Sequence, residues 1–133
     1  MPAVPLFHKI FLIYSHKKIT VMKSLRNSVT LIGNLGVDPE VKEVSNGRKM
    51  ARFSLATSES YKNEKGEKVT ETQWHNLVIF GPLAEVAEKY LKKGKQVAVE
   101  GKLEHTTFDD KNGNRKYFTQ INVNDLVLIG TDN

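Results

Sequence analysis

The chain has 133 residues and no cysteine, which suits one compact domain and excludes a disulfide framework and a Cys-based zinc site. The formal charge of +5 is unevenly placed: residues 1–22 hold Lys9, Lys17 and Lys18 and no acid, leaving 17 basic against 15 acidic residues elsewhere. So small a surplus says little about partners, and the positions of charges and aromatics must carry that argument.

Residues 1–22 differ in character from the rest. Leu6-Phe7 and Ile10-Phe11-Leu12-Ile13-Tyr14 are apolar but too short to cross a bilayer. The lysines mainly follow the apolar run, and there is no arginine, so neither a secretory leader nor a transit peptide fits. We read 1–22 as a non-native or disordered extension upstream of a start at Met22. The alternative is a strand or tail that packs on a neighbouring subunit. Residues 23–130 are read as the domain and 131–133 as a short end.

Residues 28–33 alternate as a first strand, continued weakly through 41–44 beyond a kink at Asp38-Pro39, where proline supplies no ladder donor. Asn46-Gly47 is a hairpin turn signal. The second strand puts Ala51, Phe53 and Leu55 on one face and Arg52 and Ser54 on the other. Residues 58–70 are polar and read as a mobile loop or a long hairpin. The third strand, residues 72–80, carries His75, Leu77 and Ile79 on one face and Trp74, Asn76, Val78 and Phe80 on the other. Large apolar groups on both faces are unusual for a half-buried strand.

Gly81-Pro82 starts a helix whose apolar stripe is Leu83, Val86, Ala87, Tyr90 and Leu91. Lys92 and Lys93 are expected in its last turn, with Gly94 closing it. The fourth strand alternates, with Val97, Val99, Gly101 and Leu103 inward. Asn112-Gly113 marks a second hairpin tip, and the fifth strand puts Tyr117, Thr119, Ile121 and Val123 on one face. A last apolar run, 126–129, covers a barrel end or adds an edge strand. Three strands, one helix and two strands is the order of an all-β OB-fold, a five-stranded Greek-key barrel with one helix between strands 3 and 4. A different small α+β domain shares that order.

Five segments in this order resemble bacterial single-stranded DNA-binding proteins. They are Gly33-Asn34-Leu35-Gly36-Val37-Asp38-Pro39-Glu40, Phe53-Ser54-Leu55-Ala56-Thr57-Ser58-Glu59-Ser60-Tyr61, Thr72-Gln73-Trp74-His75-Asn76-Leu77-Val78-Ile79-Phe80-Gly81, the helix from Leu83 to Gly94, and Gln96-Val97-Ala98-Val99-Glu100-Gly101-Lys102-Leu103. The resemblance covers roughly residues 27–123. It implies sequence-independent binding and protection of single-stranded DNA in replication, recombination and repair, with bases stacked on Tyr61, Trp74, Phe80 and Phe108. It also implies a homotetramer, or a dimer, with His75 near a subunit contact, and a cytoplasmic, nucleoid-associated location. The runner-up is an OB-fold interaction module of a primosome-like or plasmid assembly, binding protein or RNA.

Taken residue by residue, an aromatic is more often core than ligand platform. Trp74 and Phe80 share a parity opposite Leu77 and Ile79, which favours a platform. For phosphate, the strongest candidates are Arg52, which faces away from the core positions of its strand, Lys62 beside Tyr61, and Lys93. Lys23, Arg26, Lys92 and Lys116 are lesser ones, since any one surface lysine is usually only solvated. His75 has no second histidine at ligand spacing and reads as structural, and His105 as a surface or groove residue. The dispersed glycines form no phosphate-cradling loop, and no nucleophile–base pair or carboxylate cluster stands out. We therefore expect no enzyme, no cofactor, no metal and no membrane partner.

Two departures from the family pattern stand out. Glu104-His105-Thr106-Thr107 precedes Phe108 where basic residues are common, which weakens the contacts expected there. The family continues into a flexible linker with an acidic tip that docks replication and repair enzymes, whereas this sequence ends at Thr131-Asp132-Asn133. It is read as truncated or as a tailless variant, which leaves recruitment of those enzymes open.

Overall fold

A computed structural model describes residues 25–130. The expectations for residues 1–22, Lys23 and residues 131–133 lie outside the described residues. The elements are β1 (Val29–Leu35), β2 (Glu40–Glu43), β3 (Lys49–Lys62), β4 (Lys68–Phe80), α1 (Pro82–Tyr90), β5 (Gln96–Asp109) and β6 (Arg115–Leu128). β1 and β2 are the halves of the expected first strand, parted at the predicted Asp38-Pro39 kink.

Strand neighbours run β1-β5-β6-β4-β3-β2, and β1 also meets β3 through Asn34↔Ala56 and Leu35↔Leu55. That second pairing closes a five-stranded OB barrel with the helix between its third and fourth strands. At the closure a Cβ on Gly33 would overlap the carbonyl oxygen of Ala56, so the two backbones approach this closely only because the residue is glycine. β4 and β6 run parallel, with Leu77↔Ile121 and Val78↔Asn122 in register.

The predicted inward residues of β3 and β4 form the core: Ala51, Phe53, Leu55, Leu77 and Ile79 are buried, joined by Leu35, Val97, Val99, Ile121 and Val123. Each large one contributes about 1.5–3 kcal/mol relative to exposure. Leu103, expected inward, is exposed. The core parity continues from the Leu103↔Ile121 pair outward along the β5–β6 ribbon, where no described residue covers it. Tyr117 is 78% exposed for the same reason.

Register explains the last apolar run. Glu100 pairs with Asp125 but Gly101 with Val123, so Asn124 is an extra residue on β6. This bulge flips the parity, turning Leu126 toward the core beside Val99. The run therefore prolongs β6 along β5 instead of capping the barrel or adding a strand.

Residues 58–70 form the long hairpin, not a loose loop: the β3–β4 ladder continues to Lys62↔Lys68. Cross-strand hydroxyl pairs, Ser58–Thr72 at 3.1 Å and Ser60–Thr70 at 3.0 Å, replace the missing apolar contacts. Asn63 Oδ1 accepts from the backbone N–H groups of Lys65 and Glu67 and shapes the tip. Asn46-Gly47 turns as expected, both residues having positive φ.

α1 starts at Pro82 and lays Ala84 and Ala87 on the core. It ends at Tyr90, earlier than expected, because buried Leu91 is already extended, with its N–H donating to Ala87. Lys92 and Lys93 therefore sit in the turn beyond the helix, not in its last turn, and Gly94 belongs to that turn. Tyr90, expected on the apolar stripe, is exposed, since Leu91 takes the core position.

Candidate nucleic-acid interface

Because Leu77 and Ile79 are fully buried, strand alternation turns Trp74, Asn76, Val78 and Phe80 outward. Register extends this outer face across three neighbouring strands. Arg52 is opposite Val78 and Ala56 opposite Trp74 on β3. Asn122 adjoins Val78 on β6, and Lys102 and Glu104 lie opposite Asn122 and Gln120 on β5. Val78 is 1% exposed despite its outward parity. The longer Arg52 and Asn122 flank it in register.

Trp74 is 62% exposed, yet its ring has a defined seat. A Cβ at Gly36 would overlap indole Cζ3 and come within 2.9 Å of Cη2 and 2.8 Å of Ser54 Oγ. The indole edge thus lies against the bare backbone where β1 breaks, which presents the ring outward without burying it. Phe80 is half-buried, and the Arg48 guanidinium stands 5.5 Å from its ring centroid. Phe80 and Arg48 share a hollow of about 600 Å³ with Asn122 and Asn124.

β4 and β6 are paired only at two positions, so they part toward Trp74. The gap is a groove of about 360 Å³ lined by Trp74, Asn76, Leu103, Tyr117, Phe118 and Gln120, among others. Phe118 and Arg48 were not among the sequence candidates. Phe118 was legible, since it shares even parity with Gln120 and Asn122, against the inward Ile121 and Val123. Arg48 had no signal, because its place over Phe80 follows from the Met50↔Phe80 register.

The remaining candidates divide. Phe108 is 53% exposed and shares the parity of Phe118 and Glu104, so it lies on the outer face far along the ribbon. Lys62 shares the parity of Arg52 at the far end of the β3–β4 hairpin. Tyr61 is on the opposite parity, opposite Val69, with its hydroxyl donating to Glu71 at 3.3 Å. The structure does not bring it onto the Trp74 face. Lys93 lines a separate cleft of about 580 Å³ with Asn34, Lys89, Tyr90, Lys92 and Lys95, and its backbone N–H donates to Asp38 at 2.8 Å. His75 is half-buried, with Nε2 2.9 Å from Thr57 Oγ1, and His105 Nδ1 is 2.9 Å from Thr119 Oγ1. Lys116 stands 4.0 Å from the Asp110 carboxylate.

Two carboxylates belong to this face: Glu40, opposite Arg52 at its edge, and Glu104 within it. Glu104 Oε1 accepts from Asn122 Nδ2 and Oε2 from Gln120 Nε2, each at 3.0 Å. Those two hydrogen bonds, Asn122 first, hold its carboxyl below the usual range, helped by the Lys102 charge. Glu104 is therefore ionised at neutral pH. Among the described residues, no group of three or more His, Cys, Asp and Glu is placed to hold a metal ion, and no helix is long and apolar enough to cross a membrane.

Residues 26–129 match the model of the single-strand binding protein family. A curated relative, the single-stranded DNA-binding protein 1 of Chlorobaculum tepidum, is 45% identical over 105 residues, which is 78% of this chain. The match spans 65% of that relative's length. A solved structure, a Plasmodium falciparum single-strand binding protein in complex with single-stranded DNA, superposes with a TM-score of 0.73 at 33% identity. The superposition covers 78% of this chain and 95% of that one.

Gly36→Ala should displace the Trp74 indole from its seat. The expected result is a shifted tryptophan emission maximum with the far-ultraviolet dichroism unchanged. An unchanged emission spectrum would show that Gly36 does not set the ring position.

Proposed function

The chain belongs to the single-strand binding protein family, and we propose that it binds and protects single-stranded DNA through the outer face of β3, β4 and β6 without regard to sequence class. The observation that carries this reading is the shared outward parity of Trp74 and Phe80 beside Arg52 and Arg48. Six residues of strand separate the two rings, about 20 Å of track. Every base has a π face, so stacking on such rings tolerates any sequence, at about 1–3 kcal/mol per base in single-strand binders of this kind. Arg52 and Lys62 follow the backbone on the same face, and Phe118 and Phe108 extend the platform along β5–β6. Tyr61 and Lys93 join only if the strand wraps beyond that face. We place this binding in the cytoplasm, at sites of replication, recombination and repair.

Oligo-dT should quench Trp74 fluorescence at low salt, and duplex DNA should not. Trp74→Ala should weaken binding about tenfold, within the range for one stacked base, while melting as the parent does. Raising salt should weaken binding through lost counterion release. Equal quenching by duplex, or an unfolded Trp74→Ala, would contradict the reading.

We further propose that the chain assembles as a homotetramer. Among the described residues, Val29 to Ile32 pair with β5 on one side only, and none of them covers the other edge. Ile32, Ala98 and Val127 stand in one outward cross-strand row, with Ile32 58% and Val127 59% exposed. An open edge beside an exposed apolar row suits pairing with a second copy. His75 is retained as a second contact region. Light scattering on the chain should give about four times 15.0 kDa. Ile32→Lys with Val127→Lys should lower that mass. A monomer from the start, or a mass unmoved by the pair, would contradict the assignment.

A further inference from the structure

Resting on the single-strand reading above, we propose that Arg48 grips the phosphate of the nucleotide stacked on Phe80, which makes the hollow beside that ring an anchoring point for the strand. The hairpin sets the position of Arg48. Its backbone N–H donates to Ser45 at 3.0 Å, and its carbonyl accepts from Val44 at 2.7 Å. Arg48 itself is extended, with φ −74° and ψ 131°. Met50 pairs with Phe80, so Arg48, two residues earlier, lies past the ring where β4 ends. The guanidinium follows the backbone there, since a Cβ built on Gly81 would stand 3.8 Å from its Nε.

The distance to the ring leaves room for a base. Flat stacking brings atoms to about 3.5–4 Å, whereas the guanidinium carbon is 5.5 Å from the Phe80 centroid. The cation therefore attends the ring without sealing it. All five of its N–H groups are donors. Among the described residues no carboxylate pairs with them, although Lys42 and Lys49 on the same hairpin are taken by Glu40 at 3.1 Å and Glu88 at 3.2 Å. No acid lines the hollow of about 600 Å³ that Arg48 shares with Phe80, and its other polar groups are the neutral amides of Asn122 and Asn124. An unclaimed guanidinium fork beside a stacking ring suits an anion attached to the base, and two oxygens of a phosphate match the fork. Such a contact ignores base identity, as binding without regard to sequence requires. Arg52, in register with Val78, stands on the other side of Phe80. Cations thus flank the ring along the track, and the backbone of a base held there passes both.

The test is the salt dependence of oligo-dT binding, read from Trp74 quenching in the parent, Arg48→Gln and Arg48→Lys. Trp74 is a separate ring, so the signal survives the substitution. Arg48 is exposed, and both variants should melt as the parent does. Losing one phosphate contact lowers the slope of log K against log salt by about 0.7 for a single strand. Arg48→Gln should show that fall, its affinity deficit being about 2.6 times larger at about 50 mM than at about 200 mM salt. Arg48→Lys should keep the slope. Weaker binding by Arg48→Gln with the parent's slope would overturn the proposal and leave Arg48 as a support for the ring, and an unchanged affinity would overturn it as well. If Arg48→Gln does not fold, phenylglyoxal footprinting of the parent decides: oligo-dT should protect Arg48, and equal modification with and without it overturns the proposal. Absence of Trp74 quenching by oligo-dT in the parent defeats the single-strand reading itself, an outcome distinct from all of these.

Discussion

The pairing of Phe53 with Leu77 and of Ala51 with Ile79 fixes the phase of β4, and the functional face follows from it. All four side chains are buried, so a one-residue slip would drive Trp74, Val78 and Phe80 into the barrel and put Leu77 and Ile79 in water. That slip would lose the burial of Leu77 and Ile79, about 1.5–3 kcal/mol each, and would force two large rings into a core shaped for aliphatic side chains. Exposure of the aromatics is thus a consequence of the core, not a local accident. β1 then closes the barrel beside them, and its break at Gly36 supplies the bare backbone that seats Trp74.

Around those rings the face combines three kinds of group. Trp74, Phe80 and Phe118 present flat π surfaces, on which the proposed single strand would stack without its bases being read. Arg48 and Arg52 supply cations, Arg48 through a position over Phe80 that places charge next to a stacking surface. The Glu104–Gln120–Asn122 row is polar and fixed by hydrogen bonds. The Asn124 bulge matters here too. It turns Leu126 inward to finish the core while Gln120 and Asn122 stay outward, so one strand serves the barrel at one end and the groove at the other.

Much of this was legible in the sequence because strand alternation is a local signal. The parity of Trp74 against Leu77, the Asn46-Gly47 turn and the proline start of the helix are read within a few residues. The chain order then named the barrel. What escaped was non-local. Arg48 reaches Phe80 through a hairpin register that no short window contains. The parity flip at Asn124 is a matter of one unpaired residue on a neighbouring strand. Tyr61 was grouped with Trp74 by family likeness and Lys93 as a candidate phosphate contact, whereas alternation along β3 and the early end of α1 put them elsewhere. Leu103 and Tyr117 continue the inward phase correctly but outrun the barrel, since periodicity tells which side a residue faces and not whether anything covers it.

The most direct test of the central claim is where single-stranded DNA touches the barrel. Photocrosslinking with 5-iodo-dU oligonucleotides, followed by peptide mapping, reads those contacts without any substitution. The account predicts adducts concentrated on Trp74, Phe80 and Phe118. Adducts confined to Tyr90 or Tyr61, with these three untouched, would contradict it and move the binding face to the lysine-lined cleft or the far side of the hairpin.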